Sequence, residues 1–215
     1  MTATLADTQR PTGFAARLKA ETAARHDAAE HSTFMTDLMG GKLSAADYQR
    51  LLNQYFYIYE ALEEVAASFR AAPNPITDPF TLEGLDRLEA IKADLAALGQ
   101  TEVEPALPAT TEYAAAIRAT ASAPERFLAH HYLRYLGDLS GGQVVAALMA
   151  RHYGLAPEAL SMYRFDALPK PKVFKDSYRS LLDEAPMTDA QRDALIDEAL
   201  AGFDYNSRVF AELAQ

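Results

Sequence analysis

The chain is predicted to fold as a single all-α domain. Three observations predict it. Apolar residues recur at helical spacing, no stretch alternates with the period of a half-buried strand, and the breaks are short with no internal repeat. At 215 residues, 49% hydrophobic and 23% charged, the chain can build one sizeable core. Residues 1–11 read as a loose N-terminal tail and 12–215 as the domain.

The first predicted helix covers 12–30, and Thr33 to Gly40 adds a short helical turn before the break at Gly40-Gly41. The next runs over 44–70. Ser44 opens it with Asp47 three residues on, close to a capping box. Pro73-Asn-Pro75 and Pro79 separate it from a helix over 79–98, and Gly99 to Pro108 leads to one over 109–121. Pro124-Glu125 reads as the first turn of a long helix over 124–152. Gly154 to Pro157 ends it. Pro169-Lys-Pro171 precedes a helix over 171–184, and the last covers 188–213.

Composition narrows the function. With no cysteine, neither a disulfide framework nor a thiolate metal site is possible. The first ten residues lack the apolar region of a signal peptide. The longest strongly apolar run, Val144 to Ala150, is too short to cross a bilayer. A cytoplasmic protein with no membrane partner is expected, and a monomer is the default. A net charge of −10 argues against nucleic acid as partner, though not against an anion in a local basic pocket.

The stretch Arg134-Tyr-Leu-Gly137-Asp138-Leu-Ser140-Gly141-Gly142-Gln143 places three glycines inside the long helix. Each costs about 1 kcal/mol relative to alanine in a helix interior, so together they take about 3 from a total stability of about 5–15. An object that must lie against bare backbone would offset that cost. Arg134 and Asp138 are four apart, as are Gly137 and Gly141, so a polar pair runs beside a small-residue strip with Ser140 between. The plainer reading is an exposed salt bridge with close helix packing. The functional one is a buried aspartate that holds water and relays protons.

Five histidines are candidate ligands: His26, His31, His130, His131 and His152. A lone helical histidine is more often structural. Around His26, spacing sets Lys19, Thr22, Ala29 and Glu30 along one side. Small residues there leave room for a flat group, and Glu30 can take the second imidazole proton and orient a metal-bound ring. A surface Glu–His pair is the bland alternative. His130 and His131 point about 100° apart, so at most one faces a site beside the glycines. The other four histidines are expected to be structural or exposed. Lys170, Lys172, Lys175 and Arg179 form a basic cluster in an acidic chain. Lys172, Lys175 and Arg179 share a helix face. That face is either solvated or a clamp on carboxylates or phosphates, which Lys19 and Tyr132 could complete.

Three regions together resemble the haem oxygenases, most closely the soluble bacterial enzymes that extract iron from haem. They are KAETAARHDAAEHSTFM at 19–35, AHHYLRYLGDLSGGQVVAALMARHY at 129–153, and KVFKDSYR at 172–179 with NSRVFAEL at 206–213. The similarity spans about 15–213. It implies a helical fold with haem between a proximal and a kinked distal helix. It implies His26 as the iron ligand, the metal-binding residue, with Glu30 as its carboxylate partner. Gly137, Ser140, Gly141 and Gly142 would form the distal surface, Asp138 would organise distal water, and Arg134 would belong to that network. Lys19, Tyr132, Lys175 and Arg179 match positions that contact the haem propionates. Tyr59, Phe203, Asn206 and Phe210 match further pocket or water-network positions. One departure is the acidic Asp204 in Gly-Phe-Asp-Tyr at 202–205, where apolar residues are expected.

The resemblance implies O2-dependent cleavage of haem b (iron protoporphyrin IX), both substrate and cofactor, to biliverdin, carbon monoxide and ferrous iron. The α edge is the expected point of opening. No Gly-rich dinucleotide fingerprint follows a strand, so an external electron donor is required. A ferredoxin or flavodoxin with its reductase is expected, docking on the basic face around 170–179. The alternative is a non-catalytic haem carrier or store, which needs His26 and the basic ring but not Asp138. A di-iron bundle is disfavoured, because no histidine has an acidic residue three positions before it.

Overall fold

A long central helix collects the core. The structure, a computed structural model, describes residues 13–215, so the segment read as a tail lies outside the described residues. Nine α-helices and four short 3₁₀ turns are formed among them, with no strand. They are α1 (Phe14–Glu30), α2 (Thr33–Met39), α3 (Ala45–Ala71), α4 (Leu88–Ala97), α5 (Pro108–Ala119), α6 (Pro124–His131), α7 (Gly137–Tyr153), α8 (Pro171–Glu184) and α9 (Asp189–Leu213). A π-helical segment, Tyr132–Leu136, joins α6 to α7.

The capping-box signal at Ser44 is realised. The Ser44 hydroxyl accepts from the Asp47 N–H at 3.3 Å, and the Asp47 carboxylate accepts from the Ser44 N–H at 2.9 Å. Thr188 and Gln191 do the same for α9, with bonds of 3.3 and 3.0 Å. Helix α3 buries a face from Tyr48 through Tyr55, Ile58, Tyr59 and Leu62 to Phe69, and packs on α4 and α5. Helix α9 lies across α1, α5 and α6. Gly154 closes α7 in the left-handed conformation, φ 66°, which favours glycine.

Two boundaries differ from the sequence reading. The helix expected over 79–98 forms only from Leu88. Tertiary contacts displace its first turns. The Glu63 carboxylate, reaching over from α3, accepts the N–H groups of Arg87 at 2.5 Å and Leu88 at 2.8 Å, acting as a borrowed cap. The Arg87 guanidinium donates to the carbonyls of Leu85, Gly84 and Arg164. The helix expected over 124–152 is not continuous either. The π segment interrupts it just before the glycines and changes the angular phase between α6 and α7.

Helices α1 and α7 share supports without packing on each other. Helix α1 packs on α9, α8 and α2, and α7 on α2, α8 and the Ser161–Tyr163 turn, whereas contact between α1 and α7 themselves is at most marginal. The space between them, bounded by α2 and α8, is the candidate cleft. No described helix is long and apolar enough to cross a membrane.

Replacing Glu63 by alanine is expected to lower stability by about 1–3 kcal/mol, since two buried-side N–H groups lose their acceptor. A denaturant midpoint equal to that of the parent chain would show that the α4 cap is supplied elsewhere.

Candidate functional site at the cleft between α1 and α7

The cleft-facing surface of α7 is bare. A Cβ built on Gly137 or Gly141 meets nothing within 4 Å, so no neighbour of the folded chain requires glycine there. Gly142 is different. Its Cβ would stand 2.7 Å from Cδ1 of Tyr163, so this glycine faces the core. The grouping of Gly142 with the distal surface is thereby corrected: one residue turns the helix about 100°, which carries position 142 away from the cleft. Ser140 is exposed beside the bare strip and its Oγ accepts from Lys175 Nζ at 3.1 Å.

Asp138 points inward. It is 8% exposed, and its carboxylate accepts a short hydrogen bond from the Tyr59 hydroxyl. Arg134 lies 4.0 Å from the other carboxylate oxygen, donates to Tyr59 Oη at 3.3 Å and to Asn206 Oδ1 at 3.2 Å, and covers the Tyr55 ring at 4.4 Å. Tyr59, Arg134, Asp138 and Asn206 thus form one buried network drawn from α3, the π segment, α7 and α9. Burial raises the Asp138 carboxyl above the usual carboxylate range, against the pull of Arg134 and the Tyr59 hydrogen bond. Tyr55 is the network member that sequence reasoning missed. Its only signal is its position four residues before Tyr59.

On the opposite wall, His26 is half exposed. Its Nδ1 stands 3.6 Å from Glu30 Oε2, an electrostatic pairing longer than a hydrogen bond. Phe203 meets the ring edge-on, with centroids 5.8 Å apart and planes at 78°. Thr22 and Ala29 are buried at the root of α1, while Lys19 is exposed two turns before His26. Asp204, the acidic departure, pairs with Arg25 at 2.9 Å and ties α9 to α1 beside His26. Phe210 is buried deeper, stacked on Phe34 at 6.3 Å.

At the α8 side, Lys175 and Arg179 lie on one helix, with Lys175 reaching Ser140. Tyr132 is pushed up by burial, against the pull of the Arg179 charge. Lys172 is tied to Arg179 through a shared carboxylate: both bind Asp176, each at 3.0 Å. Neither adjacent histidine faces the cleft. His130 Nε2 pairs with Glu198 at 2.9 Å, and His131 Nδ1 with the Tyr178 hydroxyl at 2.8 Å. His31 pairs with Asp27, and His152 fits against Gly41. No group of three histidine or acidic side chains that could hold a metal occurs among the described residues.

The residues present fit a flat iron macrocycle. An imidazole stands on one wall with no hydrogen bond to its Nε2 among the described residues, and α7 presents backbone with open space where a Cβ would stand. Three cations and a phenol, Lys19, Lys175, Arg179 and Tyr132, suit an anionic edge.

Comparison with known proteins agrees. A family profile described as "Heme oxygenase" matches residues 12–212. Heme oxygenase 1 of Nostoc sp. is 32% identical over 202 residues, covering 92% of this chain and 84% of that protein. Heme oxygenase of Takifugu rubripes is 34% identical over 216 residues, covering 98% of this chain and 77% of that protein. Among solved structures, heme oxygenase-1 from Synechocystis in complex with heme superposes with a TM-score of 0.88 at 30% identity, covering 94% of this chain and 92% of that one. Heme oxygenase from Leptospira interrogans gives 0.86 at 32% identity, covering 94% and 100%.

The glycines should separate in the ligand-free protein. Gly137→Ala and Gly141→Ala are expected to preserve or raise stability by about 0.5–1 kcal/mol, and Gly142→Ala to lower it by about 1–3. Equal thermal midpoints for all three would remove the distinction between cleft and core. Asp138 gives a pH signature. Its folded pKa is raised, so its contribution is present below the ordinary carboxylate range and lost as pH rises through the raised value. Stability relative to Asp138→Asn should therefore fall as pH rises above the ordinary carboxylate range. A rising difference in urea titrations would contradict the burial effect.

Proposed function

The chain belongs to the heme oxygenase family, and on that premise we propose that it cleaves haem oxidatively to biliverdin, carbon monoxide and ferrous iron. Haem b is both substrate and cofactor. O2 and electrons from a ferredoxin or flavodoxin with its reductase complete the reaction, in a cytoplasmic monomer. One observation carries this reading: a single helix joins a side-chain-free face at Gly137 and Gly141 to a buried carboxylate at Asp138. A haem carrier needs the imidazole and the cations but has no use for a desolvated acid at that point.

Bound haem supplies the iron at which O2 is reduced and the macrocycle that is opened. The protein supplies position and protons. His26 would hold the iron, with Glu30, 3.6 Å from Nδ1, orienting the imidazole electrostatically so that Nε2 is left free. Phe203 fixes the ring plane from the side. Lys19, Lys175, Arg179 and Tyr132 would hold the propionates and so fix the rotation of the macrocycle, opening at the α edge being expected. Gly137 and Gly141 would leave room for a flat ligand against α7. Ser140 borders the same surface.

Asp138 handles the proton. Tyr59 occupies one of its carboxylate oxygens, which leaves the other to hold water. Burial favours its protonated form, so through such a water it would hold and pass a proton within the pocket. Arg134 and Asn206 fix the tyrosine and the carboxylate from behind. Phe210, stacked on Phe34, supports the wall rather than the chemistry.

The direct test adds hemin, then reductant under air, and follows the spectrum. Decay of the Soret band with biliverdin formation is expected. A Soret band that persists through turnover conditions would instead identify a carrier. His26→Ala is expected to lose the imidazole ligand field, and an unchanged spectrum would pass the role to another residue. Asp138→Ala should keep haem while biliverdin formation slows about 100-fold or more. Cleavage at the parental rate would remove Asp138 from the mechanism.

A further inference from the structure

Helix α8 carries Lys175 and Arg179, yet a narrow seam holds it to the body. Its buried side chains are Phe174, Tyr178 and Leu182, each four residues after the last. Apolar contact is non-directional and leaves a helix free to roll by small angles about its own axis. A buried hydrogen bond is directional and removes that freedom. At the far end of α8 the Asp183 carboxylate accepts the Ala15 N–H at 2.7 Å, and beside the two cations the seam contains one fully buried bond. The Tyr178 hydroxyl meets Nδ1 of His131 at 2.8 Å, with both residues at most 2% exposed.

Aromatic contacts frame this bond. The His131 ring stacks on Tyr178 with centroids 5.8 Å apart and planes at 15°. Phe80 closes on Tyr178 at 4.8 Å, Tyr135 on His131 at 4.5 Å, and Tyr132 lies 6.5 Å from Tyr178. Tyr178 sits immediately before Arg179 and three residues after Lys175, so its angular position sets theirs. The remaining polar ties of the cations are exposed ones, Lys175 to Ser140 and Arg179 to Asp176.

We infer that His131 is a positioning residue: through Tyr178 it fixes the rotation of α8, and with it the reach of Lys175 and Arg179 to the carboxylate edge of the ligand. This rests on the haem reading above. Burial, with the Arg70 charge second, pushes the His131 imidazole down to about 3. Around neutral pH the ring is therefore uncharged and keeps one acceptor and one donor nitrogen. Its neighbour His130 has a separate duty, pairing with Glu198 on α9. Two consecutive histidines thus anchor α6 to two different helices.

The experiment titrates the full chain with hemin and with hemin dimethyl ester, in which both propionates are blocked. Tyr178→Phe removes one oxygen and keeps the ring, so it preserves the packing. It is expected to raise the Kd for hemin about fivefold or more, as loss of a buried hydrogen bond allows, and to leave the Kd for the ester unchanged. His131→Phe should do the same, the double variant should be no worse than either, and His131→Gln should recover most of the affinity. A purely structural bond would lower the thermal midpoint yet leave the ratio of the two Kd values unaltered. That result overturns the inference alone. A parent chain that takes up neither porphyrin overturns the haem reading as well.

Discussion

A guanidinium buried among tyrosines organises the distal half of the molecule. Burial works against the charge of Arg134, but Tyr59, Tyr55, Asp138 and Tyr113 hold it well above its ordinary value. A charge in that position is tolerated only when its neighbours satisfy it. Each of those neighbours is thereby fixed: Tyr59 toward Asp138, Asn206 toward the guanidinium, and the Tyr55 ring beneath it. The π segment that carries Arg134 also sets the phase at which α7 begins. The buried cation and the bare face of α7 are therefore one construction, since the turn that buries the charge also aims Gly137 and Gly141 at the cleft.

The proximal half uses weaker and more exposed forces. His26 is held by an edge-on aromatic contact, a glutamate at long range and a surface ion pair between Arg25 and Asp204. Exposed pairs of that kind contribute about 0–1 kcal/mol each. The cleft thus has a stiff wall and a compliant one, joined through α9, which touches α1 on one side and supplies Asn206 to the other.

Local signals in the sequence were legible where chemistry and spacing coincide. The Ser44 cap, the proline-led start of α6 and the four-residue pairing of Arg134 with Asp138 appear as read, while His26 and Glu30 stand 3.6 Å apart as an exposed pair. Features set by residues far away were not legible. Gly142 belongs to the core because of Tyr163, twenty-one positions later. The first turns expected of the helix at 79–98 are lost because a glutamate on α3 caps Leu88. The helix expected over 124–152 changes to π geometry at Tyr132–Leu136, which its periodicity does not show. His131 gains a purpose only when Tyr178, remote in sequence, is brought beside it. Periodicity describes an element by itself, and these corrections all come from a second element acting on the first.

The contrast between Gly137 and Gly141 on one side and Gly142 on the other has an evolutionary reading. Folding alone demands the last and is indifferent to the first two. In a lineage that keeps this scaffold but abandons its chemistry, drift would erode positions 137 and 141 while 142 persists beside its tyrosine. The pattern of substitution at three neighbouring positions would then separate working descendants from retired ones by genome reading alone.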